Sequence, residues 1–212
     1  MPRAGLTPAS VVAAGAELAD ELGYENLTMG LLAERLGVRT PSLYKHVSSL
    51  DALCHGISVE TWRELGETLM RATVGLAGPA AVRAYADAFR HWVGRHPGRY
   101  AAGLRAPGPD DAEGQRIANE ILQILYAVLA GFDLPGSRVV DAARALRSAL
   151  HGFVTLENAG GFGLNRDVDR SFTFVVDSLI AGLRAGLSDE DSGQPEGTDH
   201  NGPRHEYHGS DD

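Results

Sequence analysis

A short stretch near the N-terminus concentrates side chains that can make hydrogen bonds to a polar partner. Its members are Arg39, Thr40, Ser42, Tyr44, Lys45 and His46. Arginine offers a planar fork of donors and lysine a cationic donor, while hydroxyl and imidazole groups can both donate and accept. No carboxylate lies between Gly37 and Leu50, so the stretch is locally positive although the whole chain carries a formal charge of −9. For a charged partner such as nucleic acid, this local sign matters more than the overall charge.

Two short helices joined by a tight turn are predicted to hold these side chains. Thr28 is expected to cap the first helix, because its hydroxyl can accept a backbone N–H that has no partner inside the helix. Apolar residues then recur at helical spacing up to Gly37, which can adopt the positive φ that ends a helix. Thr40 is expected to cap the second helix, with Pro41 at its first position, where a missing N–H costs nothing.

The second helix is predicted to bury Leu43 and Val47, which lie four residues apart, and to leave its polar side chains facing outward. A helix this short is not stable alone in water, so neighbouring helices must support it. A helix-turn-helix that presents its second helix to a DNA groove explains both the support and the polar outer face.

The segment LTMGLLAERLGVRTPSLYKHV, followed by SSLDAL, resembles the DNA-binding domain of the tetracycline-repressor (TetR) family of bacterial transcription regulators. The resemblance is dense over residues 8–56 and most specific in ERLGV and PSLYKHV. It implies a homodimer whose N-terminal three-helix heads bind a palindromic operator. It also implies a larger helical C-terminal body that binds a small molecule and thereby releases the DNA.

The predicted DNA contacts are Thr28, Arg39, Thr40, Pro41, Ser42, Tyr44, Lys45 and His46. The N-terminal residues of the second helix should enter the major groove, where Arg39 could donate two hydrogen bonds to a guanine. Tyr44 and Thr28 are expected to bind phosphate and to set the register without reading sequence. By resemblance, the family's phosphate-contacting tyrosine falls on Tyr44 and its neighbouring histidine on His46. The alternative is that Tyr44 and His46 pack between helices.

Two positions depart from the family pattern. Leu50 stands where a phosphate-binding lysine is common, and Gly30 stands where some members carry an arginine. Both differences remove positive charge, so fewer counterions should be released when DNA binds. We expect weak non-specific affinity and a shallow salt dependence.

The composition favours a helical globular protein, since 43% of the 212 residues are hydrophobic and 7% are aromatic. The fold is predicted to be all-α with nine to ten helices. Residues 1–48 are expected to form the DNA-binding domain, and residues 49–187 the effector-binding and dimerisation domain. Residues 188–212 hold eight carboxylates and one arginine, so a net −7 of the charge belongs to this segment, which is expected to be disordered.

Cellular location is predicted from two absences in the sequence. Cys54 is the single cysteine, so no intrachain disulfide can form, which fits a reducing cytosol. The longest apolar run, 121–132, is too short to span a bilayer, and the N-terminus has no signal-peptide core. We expect a soluble cytoplasmic protein with no membrane partner.

Two helices near the C-terminus carry apolar stripes suited to a four-helix interface between two subunits. The predicted interface residues are Leu146, Leu150, Phe172, Val176, Leu179 and Leu183. A single reading helix gains useful specificity from a symmetric partner one DNA turn away, and the resemblance implies a dimer as well. The alternative is that both stripes pack only within one chain.

A pocket for a small apolar or amphipathic effector is expected among the helices after Pro79. The candidate wall residues are Trp62, Tyr85, Phe89, Trp92, Tyr100, Tyr126 and Phe153, and the candidate polar anchors are Asn119, Gln123, His151 and Thr155. Pockets are mostly apolar with a few polar groups, but ordinary cores share that composition.

Two segments of the body, 96–104 and 150–163, partly resemble a TetR subgroup with a His-Gly signature. That subgroup often has a bulky residue before His-Gly, whereas this chain has the sequence RSAL there. Glu157 and Asn158 at the end of the second segment are expected to cap the glycine loop that follows.

Neither a metal site, a cofactor nor an active site is predicted. The histidines of the C-terminal segment, His200, His205 and His208, have no preformed geometry for a metal. The sequence contains no nucleophile elbow, Walker loop or H-E-x-x-H motif. The leading prediction is therefore a repressor released by an effector. A constitutive DNA-binding dimer without effector, or a helical enzyme, are the alternatives.

Overall fold

The computed structural model describes residues 5–104 and 107–185. This part of the chain contains nine α-helices, two short 3-10 helices and no strand, which confirms the all-α prediction. The helices are α1 (Pro8–Leu22), α2 (Met29–Leu36), α3 (Thr40–Leu43), α4 (Leu50–Thr73), α5 (Gly78–Arg95), α6 (Pro97–Ala102), α7 (Ala112–Leu129), α8 (Arg138–Asn158) and α9 (Val168–Arg184). Residues 188–212, for which disorder is predicted, lie outside the described residues.

Side-chain caps fix the starts of three of these helices where the sequence predicts them. Thr7 and Ser10 form a reciprocal capping box at the start of α1. The Thr28 hydroxyl accepts a hydrogen bond from the Leu31 N–H at 3.2 Å, and the Ser49 hydroxyl accepts one from the Ala52 N–H at 3.0 Å. Gly37 ends α2 with a φ of 65°, in the left-handed region that glycine adopts at low cost.

The helix after the tight turn is shorter than predicted, and Thr40 is not its cap. The cap position is Arg39, whose carbonyl accepts the Ser42 N–H at 2.8 Å, so Thr40 already lies inside α3. The α-helical segment ends at Leu43, and the next hydrogen bond runs from the His46 N–H to the Leu43 carbonyl, a span of only three residues. At the start of α8 the Ser137 backbone is already helical, and its side chain accepts no capping hydrogen bond.

Two hydrophobic cores share α4. The N-terminal core is formed by α1–α4, and its fully buried members include Val11, Leu32 and Leu43. The second core fills the space between α4, α5, α7, α8 and α9. Because α4 contributes Leu53 to the first core and Leu65 to the second, the helix runs through both units. The domain boundary at residue 48 stays a prediction.

The α1–α6 junction is the close contact between the C-terminal turn of α1 and the N-terminal turn of α6. A Cβ atom added to Gly98 would lie 1.9 Å from the carbonyl oxygen of Ala19, so only glycine allows the two backbones to approach this closely. The Asp20 carboxylate accepts hydrogen bonds from the Arg99 backbone N–H at 2.8 Å and from Arg99 Nε at 2.6 Å. Arg99 also reaches Glu64 of α4 at 3.0 Å. One arginine thus connects three helices.

Among the described residues, none of the helices has both the length and the apolar character that crossing a membrane requires.

Gly98→Ala should lower the free energy of unfolding by at least about 1–3 kcal/mol, because the added methyl group would force α1 and α6 apart. Chemical denaturation monitored by circular dichroism measures this. The matched control is Gly30→Ala, since a Cβ at Gly30 would meet the Thr28 hydroxyl at an ordinary 3.8 Å and the variant should gain up to about 1 kcal/mol of helix propensity. Equal stability of the two variants would contradict the close contact.

Candidate nucleic-acid interface and ligand cavity

The helix-turn-helix rests on buried leucine and valine side chains and turns its polar residues outward. Leu43 is 0% exposed and Val47 is 7% exposed, which confirms the predicted buried pair. On the opposite side Arg39, Pro41, Tyr44 and Lys45 are exposed, as is Thr28 at the start of α2, while Thr40, Ser42 and His46 are half-buried. Five of the eight predicted DNA contacts are therefore exposed and three are half-buried. Tyr44 is 51% exposed and does not pack between helices.

The two cations of this surface are free to contact a partner. Within the described residues, neither Arg39 nor Lys45 forms an ion pair with a carboxylate, whereas Arg35 on α2 is held by Glu21 of α1. A cation without an ion pair gives up only its contacts with water when it binds a phosphate or a base edge. A paired cation must also give up its carboxylate.

The positions that lack the family's charges are exposed beside this surface. Gly30 lies in the first turn of α2, where a Cβ would meet the Thr28 hydroxyl at an ordinary 3.8 Å, and Leu50 begins α4 with 36% of its surface exposed. Both sites could therefore hold a long cationic side chain without disturbing the core.

The body contains a cavity of about 780 Å³ enclosed by α4, α5, α6, α7 and α8. Its α4 wall extends from Asp51 to Leu69, which at 1.5 Å per residue is about 27 Å of helix. The apolar lining includes Trp62, Leu65, Tyr85, Phe89, Tyr100, Ile117, Ile121 and Leu125. The charged lining consists of Asp51 and His55 on α4, Asp111 before α7, and Arg147 on α8. An elongated, mostly apolar space with a few charged groups is typical of a small-molecule site.

The structure brings four of the predicted pocket residues to the cavity wall, namely Trp62, Tyr85, Phe89 and Tyr100. His151 reaches it only indirectly, through a 3.0 Å hydrogen bond between its Nδ1 and the Tyr100 hydroxyl. Trp92 and Phe153 are buried in the core, and Tyr126 packs against it. Asn119, Gln123 and Thr155 are exposed and do not line the cavity.

The rotation of α7 explains why its predicted polar anchors do not line the cavity. Ile117, Ile121 and Leu125, spaced four residues apart, face the cavity. Asn119 and Gln123 lie two positions after Ile117 and Ile121, and residues two positions apart on a helix point to opposite sides. The sequence pattern identifies the apolar face but cannot tell which neighbouring helices leave a space beside it.

Comparison with known proteins identifies the family. Residues 11–56 match the model of bacterial regulatory proteins of the tetR family, and residues 82–179 match the tetracyclin repressor-like C-terminal domain. A helix-turn-helix (HTH) type transcriptional regulator of Mycobacterium tuberculosis is 37% identical over 181 residues, covering 85% of this chain and 83% of the relative. The chain belongs to the TetR family. It is a transcriptional regulator with a helix-turn-helix DNA-binding domain.

Solved structures of TetR-family regulators share the whole architecture. A TetR variant from Acinetobacter baumannii in complex with minocycline is 26% identical, with a TM-score of 0.66 over 87% of this chain and 100% of that one. A crystal structure of BioQ with its natural double-stranded DNA operator is also 26% identical, with a TM-score of 0.63 over 85% of this chain and 99% of that one. The His-Gly subgroup within the TetR family stays a prediction.

The apolar stripes predicted as a subunit interface pack inside the regulator's own core. Leu146, Leu150, Phe172, Val176 and Leu183 are buried within the chain, and Leu179 is half-buried. Side chains already covered by their own core offer little surface to a partner, and Leu179 keeps only part of its surface exposed. The exposed apolar residues of the same region are Leu156, Phe162, Leu164 and Phe174. The apolar stripes predicted from the sequence are the inward faces of α8 and α9. The outward faces consist of other residues.

Two polar features of the regulator were not predicted from the sequence. Arg147 lies on the cavity wall one turn before His151, on the same face of α8, but a lone arginine in a helix usually indicates a solvated surface. The Asp20–Arg99 pair joins residues 79 positions apart, and no local pattern predicts such a contact. Glu157, expected as a loop cap, instead binds Arg90 of α5.

Burial changes the titration of two tyrosines on the cavity wall. Burial raises the pKa of Tyr100 to about 12 and also raises the pKa of Tyr85, although the positive charge of Arg147 opposes both shifts. An unfolded tyrosine titrates near pH 10. As the pH rises from about 10 toward 12, the unfolded chain therefore loses protons that the folded chain keeps. The contribution of these tyrosines is fully present below pH 10 and is lost above it.

Tyr85→Phe should therefore lose less stability between pH 8 and pH 11 than the natural sequence does, because one raised pKa is removed. Denaturant unfolding at several pH values measures the difference. Tyr44→Phe is the control, since this phenol is exposed and its removal should leave the pH dependence unchanged. Parallel pH curves for Tyr85→Phe and the natural sequence would contradict the burial of this hydroxyl.

Proposed function

We propose that this TetR-family regulator is a repressor that binds a palindromic operator as a homodimer and leaves it when a small molecule enters the cavity. The observation that carries this proposal is the position of α6. Tyr100, Ala102 and Gly103 at its C-terminal end line the cavity, while Gly98 and Arg99 at its N-terminal end hold α1 of the head. A shift of one short helix would therefore reach both sites.

The DNA contacts of the proposal come from the exposed residues around α3. We expect contacts to base edges in the major groove from Arg39, Ser42 and Lys45. Contacts to phosphates would come from Tyr44 and the start of α2. The similarity to BioQ, which is crystallised with its operator, supports this mode of binding. In the α2 cap the Thr28 hydroxyl only accepts the Leu31 N–H, so its O–H can still donate to a phosphate beside the backbone amides at the start of α2.

A homodimer would place two such heads on the two halves of a palindrome. The outward apolar residues near the C-terminus support it, since Phe174 is 73% exposed and Leu164 is 88% exposed. Large apolar side chains left exposed to solvent are consistent with a protein interface. Because the predicted interface residues are buried within the chain, we place the proposed interface on these outward side chains instead.

Release by a ligand is supported by the cavity and its contacts. The similarity to a TetR variant crystallised in complex with minocycline supports a small-molecule site in this chain. Trp62 on α4 donates a 2.7 Å hydrogen bond to the Gly103 carbonyl on the cavity wall. A ligand that displaces either group would disturb α4 and α6 together, and both helices contact the head.

A gel-shift assay with the DNA upstream of the regulator's own gene tests the proposal. We expect the pure protein to shift this DNA, to prefer it over a scrambled sequence, and to release it when an extract of cellular metabolites is added. Release would exclude a constitutive DNA-binding dimer. Equal binding to palindromic and scrambled DNA would refute the regulator proposed here.

Lys45→Ala should weaken operator binding by roughly 1–3 kcal/mol if the lysine contacts a base, and Tyr44→Phe should weaken it less. Fluorescence anisotropy with labelled operator measures both. Arg71→Ala is the control, because Arg71 is an exposed cation on α4 that pairs with Glu67 away from the head. Unchanged affinity in both head variants would mean that the wrong face was assigned to DNA.

The missing charge at Leu50 should make the salt dependence shallow. Leu50→Lys should steepen the slope of log K against log salt by about 0.9 for each further phosphate that the lysine neutralises, hence by about twice that in a dimer. Leu76→Lys adds the same charge at an exposed site beyond the end of α4 and should leave the slope unchanged. A slope near −10 for the natural protein, as in a strongly basic repressor, would contradict this expectation.

Phe174→Asp should dissociate the dimer, because it puts a charge at the centre of the proposed apolar interface. Analytical ultracentrifugation at micromolar concentration measures the change. Val74→Asp is the matched control, since Val74 is 76% exposed in the connection between α4 and α5 and lies outside the proposed interface. A Phe174→Asp protein that remains dimeric would place the interface elsewhere.

A further inference from the structure

Opposite charges lie at separate places along the cavity. Asp51 and His55 occupy the first turns of α4, and His55 Nδ1 lies 3.5 Å from Asp111 at the start of α7. Arg147 lies near Trp62, with the centre of its guanidinium 5.9 Å from the centroid of the indole ring. Asp51 and Trp62 are eleven residues apart on one helix, which is about 16 Å of rise. The cavity therefore has an acidic end and a basic region.

Arg147 is a cation without a carboxylate partner. Arg90, Arg99 and Arg63 on neighbouring helices each bind a carboxylate, but in the part of the chain that the structure describes no carboxylate lies within ion-pair distance of Arg147. Its guanidinium lies over the face of the Trp62 ring, and its positive charge also acts on Tyr85 and Tyr100. The guanidinium thus keeps its hydrogen-bond donors available on the cavity wall.

Tyr85 supplies a second available donor at the same wall. The residue is 4% exposed, lines the cavity, and its hydroxyl makes no hydrogen bond with any described residue. The neighbouring Tyr100 differs, because its hydroxyl is already bound to His151 Nδ1 at 3.0 Å. The Tyr85 hydroxyl is not fully buried, so it has space in the cavity to donate a hydrogen bond to a ligand.

We propose that the cavity binds an amphipathic carboxylate, with the carboxylate held by the Arg147 guanidinium and the Tyr85 hydroxyl. The apolar body of the ligand lies against Trp62, Phe89 and Ile121, which form the wall beside this pair. An arginine fork and a phenol can together occupy three of the lone pairs of a carboxylate. This proposal rests on the effector role proposed above and adds the chemical class of the ligand.

A cationic ligand fits the cavity less well. The Asp111 carboxylate already accepts the Gly114 N–H at 2.9 Å as the cap of α7 and also faces His55. The positive charge of Arg147 would repel an ammonium group placed beside the aromatic wall. Asp51 at the acidic end could pair with a cation, but it lies about 16 Å of helix rise from Trp62, so the free donors beside the aromatic wall favour an anion there.

Calorimetric titration of the full-length protein with decanoate, decan-1-ol and decylamine tests the proposal, because the three probes share one chain and differ in head-group charge. We expect decanoate to bind at least about tenfold more tightly than either other probe. Arg147→Gln should remove that preference, and Tyr85→Phe should reduce it. Arg144→Gln, an exposed arginine one turn earlier on α8 that does not line the cavity, should preserve it.

Equal affinities for the three probes, tighter binding of decylamine, no saturable binding of decanoate, or an unchanged preference in Arg147→Gln would each overturn the proposal. Operator release by decanoate is measured separately by anisotropy. A charge preference without operator release would support the carboxylate site and contradict the effector role. Operator release by an uncharged metabolite, with no charge preference among the three probes, would support the effector role and contradict the carboxylate site.

Discussion

The contact between Asp20 of α1 and Arg99 of α6 is the interaction on which the arrangement of the molecule depends. Both side chains are mostly covered, with 14% and 17% exposed, and the pair carries two hydrogen bonds of 2.8 Å or less. Removing Asp20 leaves Arg99 with Glu64 as its remaining carboxylate and takes two hydrogen bonds out of a mostly covered network, which costs more than losing a surface pair. Gly98 makes the contact possible, since a larger residue would hold the helices apart.

This contact gives a physical route between the cavity and the DNA-reading surface. Arg99 binds Asp20 in the head and Glu64 on α4, and the next residue, Tyr100, lies on the cavity wall. A ligand changes DNA affinity only if it binds one arrangement of the head more tightly than another. The Trp62–Gly103 hydrogen bond and the Tyr100–His151 hydrogen bond are the two contacts at the wall through which such a difference would arise.

Local sequence patterns predicted the helix starts and the buried helix faces. They could not predict contacts between residues that are far apart in the sequence. Helix starts at Pro8, Met29 and Leu50 follow from caps that a few neighbouring residues determine. The inward faces of α8 and α9 were identified as apolar stripes, but a stripe is the same whether it faces its own core or another subunit. Predicting the cavity would require knowing where the helices leave space between them. The residues next to Arg147 and Asp20 in the sequence give no indication of this.

Operator affinity of Asp20→Ala compared with Glu21→Ala is the most direct measurement of this coupling. Glu21 is the adjacent carboxylate on α1 and forms only an exposed pair with Arg35, so its loss should change affinity by no more than about twofold. We expect Asp20→Ala to keep its helix content and its oligomeric state but to bind the operator at least about tenfold more weakly, because a head freed from α6 must be ordered when DNA binds. Equal operator affinity in the two variants would show that the α1–α6 junction does not position the head.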